Sequence, residues 1–209
     1  DLLEGAARIH LIEMGEAILP RSRSFNRARA QAALERRQVT LHLNTSVTAA
    51  TGQQVQLANG AELRHDGLIW SAGSRPAVPA LSPPEAVDRR GIAIEADLRV
   101  SGHPHVFAIG DSAHHPDAPW PGTAQVAMQQ GEAVGAALAA MDAGLEPQPF
   151  VFQDRGEMLS LGIGDATLTG LGVTLAGPLA FTLRRATYLT RLPGLSLGLR
   201  SAGAWLLNR

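Results

Sequence analysis

One strand that ends abruptly and gives way to a helix limits the fold more than anything else in this chain. Val106-Phe107-Ala108-Ile109 reads as a buried strand that stops at Gly110-Asp111. A loop rich in His and Pro follows, and Gly122-Thr123 leads into a strong helix from about Ala124 to Met141. Ala, Gln, Met and Glu dominate that helix, and all but Gly131 and Gly135 are good helix formers. Glycine at the C-terminal edge of a strand lets a ligand come close to the backbone, and α/β sheets bind ligands at that edge. The Asp111 carboxylate beside it suits a polyol, because it accepts hydrogen bonds from hydroxyls.

The residues upstream belong to the same class. Arg8 to Glu13 read as a short buried strand that ends in a carboxylate. Ser24 caps a predicted helix to about Gln38, and Val39 to Leu43 alternate like a second strand. Gln54 to Leu57 and Glu62 to Arg64 flank Asn59-Gly60, a hairpin signal because both turn residues tolerate positive φ. Leu68 to Trp70 read as a buried strand leading into Ser71-Ala72-Gly73. A Pro-rich connection from Pro76 to Pro84 marks a crossing between domains, with short strands expected near Ile92 to Ile94 and Leu98 to Val100. After Pro149, Glu157 to Ile163 and Thr167 to Val173 read as two strands joined at Gly164-Asp165. Pro178 opens a helix to about Arg191, Pro193-Gly194 breaks it, and an amphipathic stretch runs from Leu195 to Leu207. The divisions expected are 1–75, 76–145 and 146–209.

Composition narrows the function. The net charge of −1 carries no general nucleic-acid signature. The absence of cysteine removes a disulfide framework, a thiolate metal site and a cysteine nucleophile from this stretch. The first residues are neither basic nor a long apolar run, and they do not begin with Met, which suggests a chain that starts partway through a longer one. From Ala166 to Arg209 there is no Asp or Glu but there are five arginines. No run of about 18 apolar residues occurs. The tail therefore fits binding in the membrane plane, with Leu179, Leu183, Leu189, Trp205 and Leu206 entering lipid and arginines meeting anionic head groups. The alternative is a helical hairpin packed on the protein's own core or on a partner subunit.

Three places suit chemistry. Glu13 ends a strand where a dinucleotide-binding unit keeps an acid for the adenosine ribose, which argues for NADH over NADPH; an ordinary solvated strand-end Glu is the alternative. Gly110-Asp111 is the second. The third is the start of the helix, Ala124-Gln125-Val126-Ala127-Met128-Gln129-Gln130-Gly131, whose free N–H groups and dipole favour an anion. Gln125 and Gln129, four apart on one face, have amides suited to quinone carbonyls; an ordinary polar face is the alternative. Gly162-Ile163-Gly164 opens no helix and reads as a turn. A metal site from His103, His105, His114 and His115 is a weaker reading, because those residues lie in Pro-rich loops without helical spacing.

Leu11-Ile12-Glu13, Ile69-Trp70-Ser71-Ala72-Gly73-Ser74-Arg75-Pro76, Val106 to Asp111 and Ala124 to Gly131, in that order, resemble type II NADH:quinone oxidoreductases, flavoproteins with two dinucleotide-binding domains. The resemblance spans the whole chain as the second half of that family. The tail, Leu171 to Leu206 with Gly177-Pro178-Leu179-Ala180 and, from Tyr188-Leu189, Arg191-Leu192-Pro193, is most similar to the cyanobacterial and plastid branch. The resemblance implies an α/β, Rossmann-like partial flavoprotein with a small α+β membrane-facing region. It implies FAD and NADH as cofactors, with NADPH still open, and hydride transfer through flavin to a membrane quinone. Glu13 would bind the NADH ribose, Ala72 and Gly73 would line the crossing near the cofactors, and Asp111 with Gly110 would meet the flavin ribityl chain. Backbone N–H groups at Gln125 and Val126 would face the flavin, with Gln125 and Gln129 bordering the quinone. The implied location is the bilayer surface, on the cytoplasmic face or a thylakoid membrane, and a homodimer is also open. Both Gly-rich loops of the family are absent from these residues. A disulfide reductase of the same superfamily would need a late His, and none follows His115. A non-catalytic membrane-binding remnant or split subunit is the remaining alternative.

Overall fold

The computed structural model describes residues 7–79, 86–117 and 119–207, except for the side chains of residues 195, 206 and 207. Part of the Pro-rich connection, and the expectations for Leu206 and Arg209, lie outside those residues. The chain forms two compact units, one of Asp1–Leu68 with Asp154–Arg209 and one of Ile69–Gln153.

The first unit opens with a βαβ element. Strand β1 (His10–Ile12) pairs in parallel with β2 (Thr40–His42), and helix α1 (Ser24–Arg36) connects them. Ser24 is the first helical residue rather than the cap, and Arg23 before it offers no side-chain cap. The missing acceptor comes from far along the chain. The Glu157 carboxylate accepts from Ser22 Oγ, from the Arg23 N–H at 3.0 Å and from Asn26 Nδ2 at 2.8 Å. A carboxylate at a helix start satisfies open N–H groups and favours the dipole. Helix α1 buries Asn26, Ala30 and Ala33, a spacing that places them on one face.

Strands β3 (Val47–Ala50), β4 (Gln54–Leu57) and β5 (Glu62–Arg64) form an antiparallel sheet with β4 central. The expected Asn59-Gly60 turn is present, with Gly60 at φ +86° and Asn59 Oδ1 accepting the Ala61 N–H. Leu68 to Trp70, expected as a buried strand, form no strand: Ile69 is 93% exposed and Trp70 60% exposed. An apolar run becomes a strand only when another strand pairs with it, and no described strand does so here.

The C-terminal part of this unit is a three-stranded meander, β11 (Glu157–Gly162), β12 (Asp165–Gly170) and β13 (Val173–Ala176), followed by α3 (Pro178–Leu189) and α4 (Leu195–Leu207). The single strand expected from Thr167 to Val173 is split. Leu171 at φ +51° and Gly172 at φ +76° make a two-residue hairpin turn, with Gly170 opposite Val173. Gly162-Ile163-Gly164 is the β11–β12 turn, as expected. Ala166, Thr167 and Ala180 are fully buried where β12 and α3 meet.

The second unit holds β6 (Val87–Asp88), β7 (Gly91–Ala93), β8 (Arg99–Val100), β9 (His103–Phe107), β10 (Ala113–His114) and helix α2 (Ala124–Asp142). Strand β7 lies between β6, antiparallel, and β10, parallel, while β8 pairs with β9. The strand expected at Val106 to Ile109 starts earlier and ends at Phe107. Ala86, Ile92, Ile94, Leu98, Val100 and Ala108 form an aliphatic core, edged by Phe107, Trp120, Val134 and Phe150. Among the described residues, no helix is long and apolar enough to cross a membrane.

Candidate functional site

Between β9 and β10 the backbone makes a 3-10 turn over Gly110–Ser112. Gly110 has φ +65°, and a Cβ there would lie 3.2 Å from the Ala127 Cβ of α2. Glycine is thus required twice, by the left-handed conformation and by the close approach to the helix. The Gly110 N–H donates to Gln130 Oε1 at 2.7 Å, and Gln130 is 2% exposed. Ser112 Oγ donates to the Ile109 carbonyl at 2.9 Å. Beneath the turn, a Cβ on Gly91 would fall 2.4 Å from the Ser112 carbonyl oxygen. The turn is therefore held from three sides. It presents Asp111 at the surface, facing Gly122, where a Cβ would lie 3.4 Å from Asp111 Oδ1.

Helix α2 begins two residues beyond that contact. Thr123 is its N-cap and accepts the Val126 N–H at 3.3 Å. The structure thus brings Gly110, Asp111 and the positive end of a 19-residue helix together. A carboxylate for hydroxyls, glycines where the backbone must be approached and a helix start for negative charge fit a ribityl-bearing flavin. Val126 itself is buried, and its N–H is engaged by the cap.

The two candidate glutamines differ. Gln125 is half-buried in the first turn of α2. Gln129, one turn on, is 9% exposed and commits both ends of its amide. Its Nε2 donates to the Gln153 carbonyl and its Oε1 accepts the Gln153 N–H, each at 3.0 Å. That pairing imitates a strand neighbour and fixes the chain at Gln153. Spacing alone placed Gln125 and Gln129 on one face; the partner that ties down Gln129 lies 24 positions away. Gln130 was not singled out from sequence, and its role depends on a turn 20 residues upstream. Thr123 was legible, since Thr before an Ala-Gln run is an N-cap signal.

Glu13 belongs to the other compact unit, at the C-terminal end of β1. Its Oε1 accepts the Gly15 N–H at 2.8 Å, which ties the carboxylate to the turn that follows the strand. Ala72 and Gly73 lie in an exposed stretch outside any strand, with Gly73 at φ +83°. Among the described residues, no group of three or more His, Asp or Glu is arranged to hold a metal. His114 instead lies 3.2 Å from Asp88. Burial pushes the Asp88 carboxyl up, but hydrogen bonds from Arg90 and the nearby His114 outweigh it, so its pKa lies below the ordinary value.

Residues 2–131 match the family model described as pyridine nucleotide-disulphide oxidoreductase. The chain is 36% identical over 224 residues to the demethylphylloquinone reductase of Synechocystis sp., covering 100% of this chain and 55% of that protein. It is 30% identical to a type II NADH:quinone oxidoreductase of Staphylococcus aureus, covering 85% of this chain and 45% of the relative. The chain thus spans about half the length of these relatives. Among solved structures it is similar to the NADH-bound NDH2 of Plasmodium falciparum, with a TM-score of 0.77 at 13% identity, over 90% of this chain and 55% of the other.

Proposed function

The chain belongs to the pyridine nucleotide-disulphide oxidoreductase family, and from that premise we propose that it forms part of a flavin-dependent NAD(P)H:quinone oxidoreductase working at a membrane surface. One observation carries the reading: the Gly110-Asp111 turn, pinned by Gln130 to the start of α2, within a chain similar along its whole length to a quinone reductase. When bound, the flavin supplies hydride acceptance from a nicotinamide and two-electron delivery to a quinone. The chain's own residues bind and orient. Asp111 accepts hydrogen bonds from the ribityl hydroxyls, and Gly110 leaves room for them. The dipole of α2 favours negative charge at its start.

Glu13 accepts from the adenosine ribose hydroxyls and disfavours a 2′-phosphate, which selects NADH. Ala72 and Gly73 line the crossing near the cofactors. Gln125 borders the quinone, and Gln129 keeps the wall of that site in place through Gln153. The membrane contact lies on α3 and α4. Leu179 is 58% exposed and Leu199 64% exposed. The hydroxyls of Thr182, Thr187 and Thr190 all donate to carbonyls of their own helix, at 2.8 to 3.0 Å. A helix that satisfies its own hydroxyls meets lipid without stranded donors. The surface is the cytoplasmic face, or a thylakoid membrane in a cyanobacterium.

Flavin content and the two half-reactions of the full-length protein test this. Asp111→Ala should weaken flavin binding by about tenfold or more, the worth of a hydrogen bond to a charged group. Gln125→Ala should slow reoxidation by quinone while leaving flavin reduction by NADH nearly intact. Undiminished flavin in the Asp111 variant, or equal loss of both half-reactions in the Gln125 variant, would sink the respective assignment. A full-length wild type that binds no flavin would favour a non-catalytic role.

A further inference from the structure

The membrane-facing reading of α3 and α4 leaves their arginines without an assigned partner. The whole chain has eighteen basic residues, all of them arginine. Between Ala166 and Arg209 there is no carboxylate to pair with any of them. Among the described residues, no ion pair reaches Arg184, Arg185 or Arg191. They lie on aromatic rings instead. The Arg185 guanidinium is 4.1 Å from the Trp205 ring centroid and 5.4 Å from that of Phe181, which ties α3 to α4. Arg184 and Arg191 both lie against Tyr188, at 4.6 and 5.5 Å.

Stacking occupies the flat face of a guanidinium and leaves its edge of N–H donors for a planar or tetrahedral anion. The four-residue spacing keeps Arg184 and Tyr188 on one side of α3, and Arg191, in the turn just past its end, comes back to the same ring as its N–H donates to the Tyr188 carbonyl at 3.2 Å. Tyr188 is 43% exposed and Arg191 is exposed, so the anion has a way in. Arg184 carries a further sign of an absent acceptor: its Nε is buried and has no hydrogen-bond partner. A buried donor without a partner is costly, and an entering acceptor removes that cost. Leu179 and Leu183, both exposed on the same helix, set the depth at which the anion is met.

We propose that Arg184 and Arg191, spaced by Tyr188, clamp the phosphate of an anionic glycerophospholipid head group. The proposal rests on the membrane-facing reading of this hairpin. Exposed leucines on the same helix single out a lipid phosphate over a soluble one. Arg185 is the staple that holds the hairpin in shape.

Sedimentation of the full-length protein with vesicles tests it, using phosphatidylcholine alone and phosphatidylcholine with a minor fraction of phosphatidylglycerol. Wild type should bind the charged vesicles much more tightly. Arg184→Gln with Arg191→Gln should lower that binding at least about twenty-five-fold, roughly fivefold from charge alone for each basic residue near the surface, and leave binding to neutral vesicles unchanged. Arg184→Lys with Arg191→Lys keeps the charge but loses the fork and the stacking, so it should fall between the glutamine variant and wild type, clearly weaker than wild type. Full rescue by lysine would overturn the clamp in favour of diffuse attraction. Inorganic phosphate at matched ionic strength should not compete; full competition would overturn the lipid as the ligand. Equal wild-type binding to both vesicles would overturn the clamp and leave the membrane reading intact. Binding to neither would remove the membrane reading itself.

Discussion

The two units of this chain are held together by different physics. In the Ile69–Gln153 unit the interior is aliphatic: Ile94, Leu98 and Val100 are each 1% exposed. In the other unit the junction of α1, β12 and α3 is buried just as deeply but is small and polar, with Ala166, Ala180, Thr167 and Asn26 all at 0%. The first kind of interior gains stability in proportion to apolar area and tolerates swaps of similar volume. The second gains less from area and depends on close backbone approach and on hydrogen bonds such as those that Asn26 Nδ2 donates to Glu157 and Thr169. Charge divides the same way. The aliphatic unit has four arginines and nine carboxylates; the polar-jointed unit has fourteen arginines and ten carboxylates. The overall −1 hides a basic body that carries the α3–α4 hairpin, proposed to meet a membrane, and an acidic body that carries the Gly110-Asp111 turn, proposed to meet flavin.

The comparison is broken most sharply in the aliphatic core. Ile94→Ala should cost about 4 kcal/mol, since it removes a fully buried side chain and leaves a cavity. Hydrogen exchange should show the loss first in the amides of β7 to β9. An equal loss at α1 would mean that the two interiors unfold as one.

Gly170→Ala is the matching change in the other unit. The new Cβ would lie 2.4 Å from the Arg155 carbonyl, with Gly156 close behind it. Backbone cannot move aside as a flexible side chain can, so roughly 2 to 3 kcal/mol should be lost, in the upper range for overpacking. Exchange protection along β11 and β12 measures it, and an unchanged pattern would show that the meander tolerates an extra methyl there.

How far these features were legible follows the same division. Strand β1, the Asn59-Gly60 hairpin, α2 and the Pro178 helix start depend on local periodicity and punctuation, and they stand where the sequence places them. The break at Leu171 was hidden because leucine rarely occupies a left-handed turn, so the run read as one strand. Leu68 to Trp70 failed for a different reason, since apolar residues say nothing about whether a neighbouring strand exists. At the site, Gly110 and Asp111 were visible because a strand-end Gly-Asp is itself a pattern. Gln130 holding Gly110, Gln129 holding Gln153 and Glu157 holding the start of α1 depend on partners 20, 24 and about 130 residues away, and no local pattern encodes them.

Glu157 sharpens the comparison most finely, because its effect depends on pH. Burial raises its pKa, but the hydrogen bonds from Ser22, Arg23 and Asn26 outweigh that, and the carboxyl lies below its ordinary value of 4.5. A carboxyl depressed on folding stabilises fully above its unfolded value and loses that contribution as pH falls toward the folded one. Glu157→Gln keeps the shape but removes the charge, so it should cost about 1 to 2 kcal/mol at neutral pH, the range for a hydrogen-bonded charge that is partly exposed. The difference between wild type and variant should then shrink as the pH drops below about 4.5. Exchange at the first turn of α1 is the readout, since that is where the carboxylate acts. The aliphatic unit supplies the internal control: its acid sensitivity comes from Asp97 and Asp88, whose carboxyls burial raises but Arg99 and Arg90 lower further, and Glu157→Gln leaves both pairs in place. A pH-independent gap at α1 would mean that Glu157 acts through its two acceptor oxygens, of which glutamine keeps one, rather than through its charge; no gap at any pH would mean that it acts by shape, and the polar joint would then be a matter of packing after all.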